Sequence, residues 1–88
     1  MLPDGWIKGK ILHKLTRQGK FEHSQTALEH LQKSFPPEMK GKAKEMSEEL
    51  IKEGLLHLKR TGYGNHVSLN VKIKDKIMVY IDEFLKME

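Results

Sequence analysis

At Gly54 the apolar pattern of this 88-residue chain changes period. Upstream, Met39, Ala43, Met46, Leu50 and Ile51 recur at the spacing of one helix face. Downstream, Leu55-Leu56-His57-Leu58-Lys59 and His66-Val67-Ser68-Leu69 alternate, as strands with one buried side do. Thr61-Gly62-Tyr63-Gly64-Asn65 lies between them and is rich in turn formers. The pattern predicts a helix that stops at Gly54 in the left-handed conformation and passes straight into a β-hairpin. If Leu58 faces Val67 and Leu56 faces Leu69, one hairpin face is apolar and the other carries His57, Lys59, His66 and Ser68.

The flanking segments read as helices. Ile7, Ile11, Leu12 and Leu15 share a face of a first helix, with Asp4 available as its N-cap and Gly19 as its stop. Phe21-Glu22-His23 is too short for an independent strand but suits the edge of a small sheet. Ser24 reads as the N-cap of a second helix, Gln25 to Lys33, whose buried stripe is Ala27, Leu28, Leu31 and then Phe35. Pro36-Pro37 ends it, because proline lacks an amide donor and disfavours helical geometry in the residue before it. The third helix begins between Pro37 and Lys42 and runs to Glu53. Asn70 can cap a last helix with Ile73, Ile77, Tyr80, Ile81 and Phe84 as its stripe. With no repeat, linker or low-complexity stretch, residues 1–88 read as one α+β, mostly helical domain.

A chain this short buries only about 60% of the surface its unfolded form exposes, and a deep catalytic cavity would consume much of that core. It has no cysteine, which excludes disulfides, thiolate metal sites and a cysteine nucleophile. His13, His23, His30, His57 and His66 form no ligand pair at metal-binding spacing, and no glycine-rich phosphate loop is present. The expectation is a protein that is not an enzyme and carries no metal or cofactor. No apolar run approaches the roughly 20 residues that span a bilayer, and Met1-Leu2-Pro3-Asp4 lacks the pattern of a signal peptide. A soluble, cytoplasmic protein without a membrane partner is expected.

The order helix, short strand, helix, helix, hairpin, helix resembles the winged helix-turn-helix superfamily over nearly the whole chain. The residues that carry the resemblance are Glu48-Glu49-Leu50-Ile51-Lys52-Glu53-Gly54-Leu55-Leu56, where such proteins leave the recognition helix for the wing. The continuation Gly62-Tyr63-Gly64-Asn65-His66-Val67-Ser68-Leu69-Asn70 is similar to small, uncharacterised archaeal winged-helix proteins. The resemblance implies a three-helix core, a β-hairpin wing and a C-terminal helix. It also implies a recognition helix at about 39–53 and a wing at about 55–70, and a function in binding nucleic acid, duplex DNA first, as in a transcriptional regulator. Winged helices also dock proteins and bind RNA, so a protein-interaction module or an RNA binder within a larger assembly is the alternative.

Charge supports a polyanionic partner. The net charge is +4 and the pI about 9.4. Residues 1–44 hold nine Lys/Arg against four Asp/Glu, and residues 45–88 hold seven against eight. Lys40, Lys42 and Lys44 open the third helix and Glu45, Glu48, Glu49 and Glu53 follow, so its first turns are the part able to approach phosphates. Cations there oppose the helix macrodipole at a few tenths of a kcal/mol each, which a phosphate ligand would offset. On the wing, Lys59 and Arg60 flank a tip with Tyr63, Asn65 and His66, and no acidic residue lies between Leu55 and Asn70. The same two cations would also guard an exposed sheet edge against aggregation.

Lys20 and Gln25 complete the candidate interface, Gln25 because it would sit in the first turn of the second helix. Lys8, Lys10, Lys14 and Arg17 read as solubility charges scattered around the first helix. The third helix lacks Arg, Asn or Gln on its exposed face, so sequence specificity is expected to be low. The last helix carries more apolar width than one small core needs. Ile77, Met78, Ile81 and Leu85 are therefore expected to form a dimer or partner surface, as in a twofold dimer reading two half-sites.

Overall fold

The computed structural model describes residues 4–21 and 24–87. Helix α1 (Asp4–Arg17) is followed by the two-residue strand β1 (Thr26–Ala27) and the short helix α2 (Leu28–Lys33). A 3₁₀ turn (Pro37–Met39) leads into α3 (Lys40–Lys52), and the hairpin β2 (Leu56–Thr61) and β3 (Gly64–Leu69) comes next. A second 3₁₀ turn (Val71–Ile73) leads into α4 (Lys74–Met87). The protein is α+β and mostly helical, with an antiparallel sheet of order β1-β3-β2.

Two helices end in the same way, and each ending sets the direction of the next segment. At α3 the Leu55 amide donates to the Leu50 carbonyl (3.0 Å) and the Gly54 amide to the Ile51 carbonyl (3.1 Å), with Gly54 at φ 82°. This is a Schellman ending, and it turns the chain directly into β2. At α1 the Lys20 amide reaches the Leu15 carbonyl and the Gly19 amide the Thr16 carbonyl, with Gly19 at φ 67°.

The hairpin register follows the alternation in the sequence: Leu56 faces Leu69 and Leu58 faces Val67. Leu56, Val67 and Leu69 are buried, and His57 and Lys59 on the opposite face are exposed. Ser68 departs from its expected place on the open face and is buried. It stands on β3, the central strand, opposite His57 of β2. Gly64, at φ 111°, closes the turn, and the Thr61 hydroxyl accepts from the Tyr63 amide and donates to the Gly64 carbonyl.

One apolar core joins the elements. Ile7, Ile11, Leu12 and Leu15 of α1 meet Met46 and Leu50 of α3, Ile77, Ile81 and Phe84 of α4, and the inner face of the hairpin. Trp6 packs edge-on against Phe84 with ring centroids 5.4 Å apart. Asn70 links the two ends of the hairpin. Its amide donates to the Gly54 carbonyl (2.8 Å), and its carbonyl oxygen accepts from the Lys72 amide as a cap.

The segment between α1 and α2 differs from the sequence expectation. The edge strand forms at Thr26–Ala27, paired with Val67 and His66. Phe21 makes only an isolated parallel bridge to Leu69, while Glu22 and His23 lie outside the described residues. Residues 26 and 27 have joined the sheet, so α2 starts at Leu28 with Ala27 at its N-cap position and no side-chain cap. Ser24 therefore does not cap α2, and Gln25 precedes β1 instead of occupying a helical turn.

Candidate functional site

The first turns of α3 emerge from a proline-led start. Pro37 occupies the first position of the 3₁₀ turn, where a missing amide donor costs nothing, and α3 continues from Lys40 with no acidic residue in its first turn. Ala43, Met46 and Leu50 bury one side of α3, which leaves Lys40, Lys44, Glu45 and Glu48 exposed. Lys44 points into an open depression of about 360 Å³ that Gln32 of α2 and Gly64 and Asn65 of the hairpin also line. Three elements distant in sequence thus converge beside one lysine. Glu29 shares the rim and is the carboxylate there.

Strand alternation divides the remaining hairpin residues between two faces. Arg60 pairs with Asn65 across the ladder, two residues beyond Leu58 and Val67, so both lie on the α3 side. Lys59 pairs with His66 and lies on the opposite side. Tyr63 stands at the tip, 96% exposed. Of the expected interface residues, the fold brings Lys44 and Asn65 to one depression, with Arg60 paired to Asn65, Lys40 exposed one turn before Lys44 and Tyr63 exposed at the hairpin tip. Lys59 and His66 face away, and Lys20 and Gln25 sit half-buried in the segment between α1 and β1.

Lys42 has a different role from its neighbours. Its ammonium lies 3.2 Å from Asp4 Oδ1 of α1 and 3.7 Å from Glu45. It already has protein counter-charges and tethers the start of α1 to α3. That leaves less of its charge for a phosphate than Lys40 or Lys44 can offer.

The most strongly perturbed groups lie at the other end of α3, where the sequence pattern gives little sign of them. Lys8, expected as a solubility charge, is buried, with its ammonium 3.0 Å from Glu49 Oε1 and 3.0 Å from Glu53 Oε2. The Tyr80 hydroxyl donates to Glu53 Oε1 at 2.8 Å, and the Lys8 ammonium stands 5.6 Å from the Tyr80 ring centroid. Burial works against the charged form of Lys8, but the two carboxylates outweigh it and hold the lysine well above its ordinary range. Burial likewise pushes the Glu53 carboxyl up, and the hydrogen bonds from Lys8 and Tyr80 more than reverse that. Tyr80 is pushed up by burial and by its bond to Glu53. The cluster is fully paired and fixes the end of α3 against α1 and α4. The i, i+4 spacing of Glu49 and Glu53 was the available signal; no feature of Lys8 itself marks it.

The expected dimer surface is corrected in two of its four residues. Ile77 and Ile81 are 4% and 3% exposed and belong to the core of this chain, because the α4 stripe that they define faces α1. Met78 and Leu85 are exposed, as is Val79. The first-helix cations are corrected too: Lys10, Lys14 and Arg17 are not scattered but line one groove.

Among the described residues no group of three or more His, Asp or Glu could hold a metal ion, and no helix is long and apolar enough to cross a membrane. Compared with known proteins, the chain matches no family model, no curated protein and no solved structure.

Proposed function

We propose that this chain is a winged helix-turn-helix domain that binds nucleic acid, duplex DNA first, through the start of α3 and the α3-facing side of the hairpin tip. The observation that carries the reading is the convergence of Lys44 with Asn65 across the open depression, with Arg60 paired to Asn65, Lys40 exposed one turn earlier on α3 and Tyr63 exposed at the tip. Cations at a helix start, where the dipole disfavours them, gain stability from a phosphate ligand. With acidic residues along the rest of the exposed α3 face, the contact is short and dominated by phosphates, so affinity depends strongly on salt and weakly on sequence.

Fluorescence anisotropy of a labelled duplex DNA across a salt series tests it, with duplex RNA and single-stranded DNA in parallel. Wild-type protein is expected to show a log-log slope of several phosphate contacts, at about 0.9 per contact on duplex DNA. A Lys44→Glu/Arg60→Glu variant is expected to lose both affinity and slope. Absence of binding to every duplex at low salt overturns the proposal. Preference for single strands would instead assign Tyr63 a stacking role and make RNA or single-stranded DNA the target.

A further inference from the structure

A groove of about 610 Å³ runs between α1 and α4, away from the start of α3. One wall is Lys10, His13, Lys14 and Arg17 of α1, and the other is Phe84 and Leu85 of α4. The three cations recur at i, i+4 and i+7, so they form a row about 10 Å long on one helix face. Among the described residues no carboxylate lines the groove and none of the three cations is ion-paired. A neighbouring depression shares Lys14 and adds His30 and Lys33, which extends the basic rim without adding an acid.

The floor of the groove is apolar. Phe84 is held by Trp6 on one side and His13 on the other, each with ring centroids 5.4 Å away, and Leu85 beside it is 49% exposed. The Lys10 ammonium is held over the Trp6 and Phe35 rings at 5.0 and 5.2 Å, so this cation is already oriented. A fixed apolar floor below unpaired cations complements a ligand that is both acidic and apolar. A phosphate backbone would meet the charges but leave Leu85 and Phe84 against polar groups, whereas an acidic peptide can bury an apolar side chain there.

We propose that the α1–α4 groove is a docking site for an acidic amphipathic peptide segment of a partner protein, with carboxylates on Lys10, Lys14 and Arg17 and an apolar side chain on Phe84 and Leu85. The site shares no residue with the depression beside α3, so the proposal stands independently of nucleic-acid binding.

The test uses a fluorescein-labelled peptide of about 15 residues, long enough for four helical turns, with glutamates at i, i+4 and i+7 flanked by Leu and Phe. Binding to the full chain with a Kd below about 100 μM is expected. Lys14→Glu/Arg17→Glu is expected to weaken it at least about tenfold, and Leu85→Ser about threefold to tenfold, since each substitutes an exposed or half-exposed position. Circular dichroism verifies that both variants fold. A peptide with Leu and Phe replaced by Ser is expected to bind at least about fivefold more weakly. Three results overturn the proposal. The first is no binding by the folded wild type. The second is equal binding of the serine peptide, which would make the groove a general polyanion surface. The third is a concentration-dependent dimer in light scattering that the peptide does not dissociate, which would make a second copy the occupant.

Discussion

Gly9 of α1 faces the backbone carbonyl of Tyr80 on α4, and a Cβ built on Gly9 would stand 2.6 Å from Phe84 Cβ. The two helices pack this closely because residue 9 has no side chain. In an open helix, Gly→Ala gains about 1 kcal/mol through helix propensity. At Gly9 the contact is with backbone and a Cβ, neither of which can swing aside, so overpacking wins. Gly9→Ala is expected to destabilise by about 1–3 kcal/mol in urea unfolding. Gly41, in the first turn of α3 with open space around it, provides the control. Gly41→Ala should stabilise by about 0.5–1 kcal/mol, and a gain at both positions would show that α1 and α4 are not in such close contact.

The Lys8 cluster joins three helices through one cation. Removing that cation takes away the ammonium that Glu49 and Glu53 share. A fully buried pair broken on one side costs about 3–5 kcal/mol, and an exposed one at most about 1 kcal/mol. With Lys8 buried but Glu49 partly open to solvent, Lys8→Met should cost about 2 kcal/mol. Adding Glu53→Gln removes one of the two carboxylates and should recover part of the loss. A double variant less stable than the sum of the two single ones would contradict the assignment.

The same cluster sets a pH window. Glu53 is held below its ordinary value of 4.5, so its contribution is complete above that value and is lost as pH falls through the folded-state value. Tyr80 is held above its ordinary 10.0 and Lys8 above its ordinary 10.5. Their contributions are complete below those values and are lost as pH rises through the folded-state values. Thermal melts should therefore be most stable between about pH 5 and pH 9.5. Glu53→Gln should flatten the acid limb, and Tyr80→Phe should lessen the alkaline decline. An acid limb unchanged in Glu53→Gln would assign it to other carboxylates.

The hairpin and its register were legible in the sequence because alternation is local and a shift of one residue would expose every leucine. The ends of α1 and α3 were legible because each needs a residue tolerant of positive φ, and Gly19 and Gly54 supply it. Strand β1 was not legible. Two residues carry no period, and Thr26 and Ala27 are strand only because β3 offers them an unpaired edge. Lys8 was illegible for a related reason: its burial is decided by Glu49, Glu53 and Tyr80, which the fold brings to it from two other helices. The width of the α4 stripe was visible, but not which part of it α1 would cover. Ile77 and Ile81 therefore went to the core, and Met78 and Leu85 remained exposed.

Asn70 makes two hydrogen bonds that a substitution series can separate. Asn70→Asp keeps the oxygen that caps the Lys72 amide but loses the donor to the Gly54 carbonyl, and Asn70→Ala loses both. An N-cap is worth about 1 kcal/mol and a part-buried hydrogen bond about the same. Asn70→Ala is expected to cost about 2 kcal/mol and Asn70→Asp about half of that. Amide exchange at Lys72 should accelerate only in the alanine variant. Equal acceleration in both would show that the cap is not made by the side-chain oxygen.

Arg60 and Lys59 are adjacent in sequence, equal in charge and both exposed, yet they project from opposite faces of β2. Composition alone makes them interchangeable as phosphate contacts. The register does not, because Arg60 shares its face with Asn65, which lines the depression beside Lys44. On the proposed interface, Arg60→Ala should lower affinity for duplex DNA about threefold to tenfold and reduce the log-log salt slope by about one contact. Lys59→Ala should change the affinity less than about twofold through the long-range field alone, and the slope hardly at all. Both variants should melt like the wild type, since neither side chain is buried. Equal losses at the two positions would mean that the duplex is held by the overall charge of the hairpin. A larger loss at Lys59 would move the interface to the face carrying His57 and His66.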